Sequence, residues 1–251
     1  MNTHPLSCLV LPALAASLAA QTIAGGFSPN PVAPGVPVTL TCTDAAGFGL
    51  QLPSPCSWFT IHQGSQTGPA IQLGLACPTV IVPVAPHGTF SFAWDQRDAT
   101  GAFVPPGTYW FEARAWDNGF FVLHRDWFCI SIQPAGAPAL TAAGPARIGL
   151  QTPLQISAPT EPGAIWVAAA SLSSNDPIVA PGLATCLSEP LFLGPFTSPI
   201  GVLDGGGNSS GLELIVPGAP IVLYQGLHVQ ALLFGSTGLA LTNDVSFTIQ
   251  P

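Results

Sequence analysis

The residues that decide the fold are Phe-Ser-Phe-Ala-Trp at 90–94 and Gly-Thr-Tyr-Trp-Phe-Glu-Ala-Arg-Ala-Trp-Asp-Asn-Gly at 107–119. Large apolar side chains alternate with small or polar ones in the first run, and aromatic residues crowd the second. Gly101, Pro105 and Pro106 lie between the two runs. Alternation with a period of two is typical of β-strands, and clustered Gly and Pro mark turns. This stretch therefore predicts strand, turn and strand in an antiparallel sheet.

A second hairpin is predicted at Asn118-Gly119, the strongest short-range signal for a two-residue turn. Such a turn fixes the register of the strands on either side. The cross-strand pairs on one face are then Trp116 with Phe121, Arg114 with Leu123, Glu112 with Arg125, and Trp110 with Trp127.

The opposite face of this hairpin is the predicted core face, because its side chains are mostly apolar. Its members are Tyr109, Phe111, Ala113, Ala115, Val122 and Phe128. One pair does not fit, since Phe111 would meet Asp126. We therefore expect a β-bulge near Asp126 that shifts the end of the strand.

The start of the chain predicts export. Leu6 to Ala20 is apolar, too short to span a bilayer comfortably, and ends in small residues. We interpret residues 1–20 as a secretory signal peptide cleaved after Ala19, and a buried strand of the mature fold is the alternative. No later segment is long and apolar enough to cross a membrane, so we expect no membrane span in the mature chain.

Composition favours an exported β-rich protein. Of 251 residues only 6% are charged, while 27 are Gly and 28 are Pro, which suits short strands and many turns. The 48% hydrophobic content is enough to build a core. Because the net charge is -8 and the chain has no Lys, nucleic acid and anionic membranes are not expected as partners.

The cysteines predict disulfides and no metal centre, because there is no Cys-x-x-Cys and no nearby pair of His. Strand-like runs flank the turn at 64–69, and a hairpin centred between Gln66 and Thr67 places Cys56 opposite Cys77, close enough to bridge. Cys42 and Cys129 then pair by elimination. The alternation of side chains argues against this second bridge, since Cys129 shares a face with Trp127 and not with the core. Cys186 is left as a buried thiol or an intermolecular bridge.

A boundary is predicted at Gln-Pro-Ala-Gly-Ala-Pro, residues 133–138. It divides the mature chain into a sandwich at 21–134 and a second sandwich at 138–251. Strands in the second half are expected at 154–157, 165–172, 191–193, 212–216, 221–224, 227–234 and 239–249, the last broken near Asn243-Asp244. The fold class is therefore all-β, with two consecutive antiparallel β-sandwiches after a signal peptide.

The first half carries a family signature in Trp-Asp-Gln-Arg-Asp-Ala-Thr-Gly-Ala-Phe-Val-Pro-Pro-Gly-Thr-Tyr at 94–109. It resembles the immunoglobulin-like (Ig-like) domains of bacterial intracellular proteinase inhibitors and of flagellar hook-capping proteins, over roughly residues 35–132. The resemblance implies an Ig-like sandwich and suggests proteinase inhibition as an activity. The disulfides and the segment between Cys56 and Cys77 depart from the inhibitor pattern.

The second half is similar to a recurrent C-terminal domain of uncharacterised secreted bacterial proteins, through 191–193, 201–207, 230–231 and 241–243. That family implies no chemistry.

Catalytic and metal motifs are weak. The Gly-x-Ser-x-Gly match around Ser209 lacks the strand before it and the helix after it that a nucleophile elbow needs. A hydrolase would require His228 and Asp244 to reach Ser209. Asp95 and Asp98 lie in the signature turn, where they are expected to cap backbone amides. Asp204 and Asn208 supply too few oxygens for calcium. We expect no catalytic residue, no metal and no cofactor.

The outer aromatic face is the candidate binding site. It consists of Trp110, Glu112, Arg114, Trp116, Arg125 and Trp127. A flat sheet with Trp platforms could stack a sugar or receive an extended peptide, unless other parts of the chain cover it. The expected function is a secreted, non-catalytic structural or binding module with a protein or polysaccharide partner. A proteinase inhibitor is the alternative, and a secreted hydrolase is a third hypothesis.

Overall fold

The computed structural model describes residues 22–174, 177–180, 183–188 and 191–251. These residues form nineteen β-strands and one three-residue 3-10 helix, Pro220–Val222. The all-β fold class with antiparallel β-sandwiches is confirmed. The predicted signal peptide at 1–20 lies outside the described residues.

The strands of the first half are β1 (Ile23–Ser28), β2 (Val38–Asp44), β3 (Leu50–Leu52), β4 (Phe59–Gln63), β5 (Ala70–Ile71), β6 (Val82–Val84), β7 (Thr89–Trp94), β8 (Gly107–Asp117) and β9 (Leu123–Ile132). Those of the second half are β10 (Ala139–Ala142), β11 (Gln151–Ser157), β12 (Ile165–Ser171), β13 (Pro177–Ala180), β14 (Leu183–Ser188), β15 (Ile200–Val202), β16 (Glu213–Ile215), β17 (Gly226–Gly235), β18 (Gly238–Leu241) and β19 (Val245–Thr248).

Two sheets form the first half. One has the order β1-β2-β7, and the other has the order β5-β4-β8-β3-β6 with β9 on the second edge of β8. Every pairing between these strands is antiparallel. The inward side chains of both sheets meet in one core, in which Trp94, Tyr109 and Phe111 make edge-to-face ring contacts.

The β8–β9 hairpin forms, but its register differs from the prediction by two residues. Trp116 pairs with Leu123 and Phe111 pairs with Phe128. The loop has four residues, 118–121, because Asp117 closes it by donating its N–H to the carbonyl of Val122. A shift of two keeps every side chain on its predicted face.

The expected β-bulge near Asp126 is wrong, since the ladder runs without interruption and Asp126 stands opposite Ala113. The Asp126 carboxylate is buried and accepts the backbone N–H of Ile23 at 2.9 Å. Val122, predicted on the core face, is exposed. It lies outside the β8–β9 ladder, which ends at Leu123.

The second half also contains two main sheets, β10-β11-β16 and β15-β12-β17-β18 with β19 on β17, and a separate β13–β14 hairpin. Five of the expected strands are present. The runs at 191–193 and 221–224 are not strands: the first makes a single bridge from Phe192 to Ala170, and the second contains the 3-10 helix. Strands β10, β13, β14 and β15 were not predicted.

The described residues contain two large hydrophobic cores and a small third cluster of Trp110, Cys129 and Cys186. One draws on residues between Ile23 and Ile132, and the other on residues between Leu140 and Ile249. The predicted boundary at 133–138 falls between the two large cores. That 21–134 and 138–251 are independent folding units stays a prediction.

The two halves are in direct contact, chiefly through β1 and β19. The backbone of β1 comes so close to β19 that a Cβ at Gly26 would lie 2.6 Å from the carbonyl oxygen of Ser246. The amide of Asn30 also donates to the Asp244 carbonyl and accepts a hydrogen bond from Asn243 at 2.8 Å. Only a residue without a side chain permits this approach at position 26.

In the part of the chain that the structure describes, no helix has both the length and the apolar character needed to cross a membrane.

Candidate functional site

The predicted aromatic face is only partly open. Trp110 is 1% exposed, and it packs with Cys129, Cys186 and the partly buried Trp127. Cys186 belongs to β14, so the second half of the chain covers this end of the face. Trp116, at the other end, remains half-buried. Trp110 therefore cannot serve as a platform for a ligand, which removes one of the three tryptophans of the predicted site.

The charged residues of the aromatic face form one cluster, in which a single carboxylate pairs with two arginines. Glu112 is buried, and its carboxylate accepts two hydrogen bonds from the guanidinium of Arg114, one of them at 2.9 Å from Nε. The guanidinium of Arg125 lies 3.5 Å from the same carboxylate. One carboxylate thus holds two arginines, so both guanidiniums are tied to the outer face and the cluster keeps a net charge of +1.

One of the two predicted disulfides is present. Cys56 bonds Cys77, although the β4–β5 register is offset by one residue from the prediction and β5 is only Ala70–Ile71. The predicted Cys42–Cys129 bridge is wrong, because Cys129 bonds Cys186. Side-chain alternation explains the error: Cys129 lies on the outer face of β9, which faces β14, whereas Cys42 faces the first core.

Cys42 is a buried free thiol. Burial, and to a lesser degree the charge of nearby Asp126, raise the pKa of this thiol well above its ordinary value. The thiolate that would react with disulfides or metals is therefore disfavoured at neutral pH.

The residues proposed for a hydrolase do not assemble. Ser209 Oγ accepts the backbone N–H of Ile156 at 2.8 Å, and among the described residues no His or carboxylate bonds to it. His228 and Asp244 do meet, with Nδ1 and Oδ2 3.1 Å apart, but both are fully buried. Ser246 Oγ bonds the same two atoms. This trio lies where β17 and β19 meet β1, closed to substrate.

Asp95 and Asp98 cap the signature turn as predicted, with Asp95 accepting the backbone N–H of Arg97 at 3.1 Å, and Asp204 caps a turn for which no cap was predicted. Asp98 accepts the backbone N–H of Thr100 at 2.8 Å and the Thr100 hydroxyl, which lower the pKa of its carboxyl. Asp204 accepts the N–H groups of Asn208 and Gly206, with the same effect on its pKa. Across the described residues no group of three or more His, Cys, Asp or Glu could hold a metal ion.

A different feature, which the sequence reasoning missed, is the second edge of β7. The sheet order β1-β2-β7 leaves β7 with one neighbour, and among the described residues no strand pairs with its other edge. The β7 sequence is Thr-Phe-Ser-Phe-Ala-Trp. It has no charged residue and no Pro, which are two of the usual devices that keep an edge strand from pairing.

A groove of about 470 Å³ lies beside the end of β7, and we call it the edge groove. Its walls are Phe92, Ala93 and Trp94 on one side, Leu73, Gly74 and Leu75 on the other, and the turn from Asp95 to Gly101 at the end. The turn is fixed to the second wall because Ala99 donates its N–H to the carbonyl of Gln72 at 2.7 Å. Arg97, stacked 3.6 Å over the Phe103 ring, stiffens it further.

The wall of the edge groove continues into an extended segment at 72–81 that belongs to no strand. Its apolar residues Leu75, Val80 and Ile81 are exposed. The Cys56–Cys77 disulfide fixes the middle of the segment to the chain before β4. The segment therefore presents apolar side chains without being free to collapse onto the core.

Comparisons with known proteins add similarity of shape only. No model of a protein family matches this chain, and no curated protein matches it either. Among solved structures, it is similar to red sea bream transglutaminase, with a TM-score of 0.32 and 9% identity over 99% of this chain and 34% of that one. The chain thus spans about a third of the transglutaminase.

Two shorter proteins are covered almost completely. The CupB2 chaperone of Pseudomonas aeruginosa has a TM-score of 0.29 and 14% identity, over 84% of this chain and 92% of that one. The fibronectin(III)-like modules of Clostridium thermocellum CbhA have a TM-score of 0.24 and 12% identity, over 91% and 93%. Similarities this low define neither a family nor an activity for this chain.

Proposed function

We propose that this protein is a non-catalytic binding module that works outside the cell or at its surface and binds an extended polypeptide along β7. The observation that carries the proposal is the unprotected edge of β7 beside the edge groove. An extended peptide can add a strand to such an edge, so that main-chain hydrogen bonds give affinity and neighbouring pockets select side chains.

The edge groove supplies the pocket that this mode of binding needs. Ala93 is exposed beside it, and Leu73 and Leu75 offer apolar contacts for alternate side chains of the peptide. Because side chains alternate along an added strand, we expect the partner to have apolar residues at every second position.

The extracellular setting rests on two features. The apolar run at 6–20 ends in small residues, as signal peptides do. Two disulfides are compatible with an oxidising compartment, where such bonds form and persist. Export itself is part of the proposal, and cleavage after Ala19 in the secreted chain would be seen in its intact mass.

The test of peptide binding uses a fluorescein-labelled ten-residue peptide of alternating Val and Thr, measured by fluorescence polarisation. Ala93→Lys places a charge at the groove and should weaken binding at least tenfold. Thr41→Lys is the matched control, because Thr41 is exposed on the same sheet but β2 has a neighbour on each side. It should bind as the wild type does.

Main-chain pairing is tested separately. A peptide methylated at alternate backbone nitrogens keeps its side chains and loses the donors that a β-ladder requires. It should not bind. Equal binding of the methylated peptide, or of Ala93→Lys and wild type, would contradict strand addition at β7.

A second candidate function is proteinase inhibition, which the resemblance of residues 94–109 to the inhibitor family suggests. The observation that favours it is the exposed, disulfide-anchored segment at 72–81. An inhibitor holds such a segment in a protease cleft without releasing it. Inhibition of a panel of secreted proteases, lost in Leu75→Asp and kept in Ala93→Lys, would favour this candidate over strand addition.

A further inference from the structure

A second pocket, of about 360 Å³, lies where the two halves of the chain meet, and we call it the interface pocket. Both halves build it. The first half contributes Thr43, His87 and Thr89, and the second half contributes Arg147, Tyr224, Thr248, Gln250 and Pro251. Its volume is at the lower end of the range for small-molecule sites, roughly 300–1,000 Å³.

Two strained residues meet in the interface pocket. The rings of His87 and Tyr224 stack with centroids 4.1 Å apart and planes inclined by 20°. Both residues have a positive φ, 55° and 63°, which is costly for a residue with a large side chain. Such outliers persist where the surrounding structure holds them, and they cluster at functional sites.

The contacts of the stacked pair show how it is held. His87 Nδ1 lies 3.2 Å from the Asp44 carbonyl, and the ring packs so tightly on Gly47 that a Cβ there would lie 2.4 Å away. Tyr224 donates its backbone N–H to Ile249 at 2.8 Å. The pair is therefore a rigid wall of the pocket.

Arg147 is the cation of the interface pocket. The chain has four Arg and no Lys, and the other three arginines each have a carboxylate partner: Arg97 has Asp95, while Arg114 and Arg125 share Glu112. Among the described residues no carboxylate lies within the 4.0 Å of an ion pair from Arg147. Its backbone is fixed, since Ala146 and Ile148 on either side bond Gln250.

The chemistry of these groups defines a ligand class. A guanidinium binds a carboxylate, sulfate or phosphate through two parallel hydrogen bonds. Three Thr hydroxyls and one Tyr hydroxyl can each donate and accept, which suits a ligand rich in hydroxyl groups. The aromatic rings offer an apolar wall to C–H groups. The net charge of -8 opposes the approach of every anion, and a ligand that also bonds the hydroxyls gains contacts that a bare anion lacks.

We propose that the interface pocket binds an acidic saccharide, with the sugar carboxylate on Arg147 and the sugar hydroxyls on the threonines. This site is separate from the edge groove and does not depend on peptide binding there.

The test titrates the full chain with digalacturonic acid, neutral galactobiose and inorganic sulfate by isothermal calorimetry. Digalacturonic acid should bind saturably, and galactobiose and sulfate should each bind at least tenfold more weakly. Arg147→Gln should lose at least tenfold in affinity for the acid, as expected when charge-assisted hydrogen bonds are removed. Thr89→Val, from the other half, should lose several-fold.

Arg125→Gln is the matched control, because it makes the same change of net charge on a half-exposed arginine outside both pockets. It should bind the acid as the wild type does. No saturable binding of digalacturonic acid, or unchanged binding by Arg147→Gln, would overturn the site. Sulfate or galactobiose binding as tightly as the acid would overturn the assignment to an acidic saccharide.

Discussion

The Cys129–Cys186 disulfide should stabilise the folded state more than the Cys56–Cys77 disulfide does. It closes a loop of 57 residues, whereas Cys56–Cys77 closes one of 21. In the chain-entropy description of disulfides, loops of these lengths stabilise the folded state by about 4 and about 3 kcal/mol. We therefore expect Cys129→Ala with Cys186→Ala to lower the free energy of unfolding by about 4 kcal/mol.

The measurement is urea unfolding followed by tryptophan fluorescence, with Cys56→Ala and Cys77→Ala as the matched pair. The two bridges differ in a second way, because Cys129–Cys186 joins the two halves and Cys56–Cys77 lies within the first. Loss of the joining bridge should broaden the transition or split it into two, as the halves unfold with less coupling. Loss of the other bridge should shift the midpoint and leave a single transition.

Two results would refute this reasoning. Peptide mapping of the oxidised protein that found Cys129 joined to Cys42 would remove its structural basis. The second is an unfolding curve in which the variant without Cys56–Cys77 is the less stable of the two and unfolds in two transitions. It would show that Cys129–Cys186 is not the disulfide that couples the unfolding of the two halves.

Three further predictions concern single sites. The Cys42 thiol, buried and with a raised pKa, should resist iodoacetamide at pH 8 in the folded protein and react once the chain is unfolded; labelling in the native state would contradict its burial. Trp110→Ala should cost about 3–5 kcal/mol by urea unfolding, because it empties a buried site, and half-buried Trp116→Ala should cost clearly less; similar losses would mean that the second half does not cover Trp110. The pKa of Asp98 is lowered in the folded state, so the ionised carboxylate contributes its full share to folding stability above the unfolded pKa and loses it as the pH falls through the folded pKa. Below about pH 4 the free energy of unfolding of the wild type should therefore fall more than that of Asp98→Asn. Parallel pH profiles of stability would rule this out.

The β8–β9 hairpin shows which features of the fold the alternation of side chains predicts and which it does not. Alternation placed Tyr109 and Phe111 in the core and Trp110 and Glu112 on the outer face, and those faces are correct. The loop is two residues longer than predicted: Phe120 takes a positive φ within it, and Asp117 caps it by accepting the N–H of Phe121. Such capping depends on one side chain and its neighbours, which strand periodicity does not encode.

The cysteine pairing was predictable in part. The same alternation places Cys129 on the outer face of β9, away from Cys42, and this signal was stronger than elimination. What could not be predicted was the partner, because Cys186 reaches Cys129 only when the second half packs against the first. Contacts between the halves depend on tertiary packing, which local sequence patterns do not encode.

The sequence predicted neither candidate pocket, because tertiary packing forms both of them. The two pockets nevertheless depend on the fold in different ways. The edge groove lies beside the edge of β7 with which no described strand pairs, and all of its lining residues lie in the first half. The interface pocket takes its walls from both halves. Cys129–Cys186 holds those halves together, but no residue of either bridge lines either pocket.

This difference gives one experiment that addresses both proposals. In Cys129→Ala with Cys186→Ala, under conditions where the chain stays folded, digalacturonic acid should bind several-fold more weakly, because the two walls of the interface pocket are held together less firmly. Peptide binding at the edge groove should not change. Equal weakening of both ligands would show that the variant has lost its fold locally, and unchanged binding of both would show that the interface pocket does not depend on how the halves are joined.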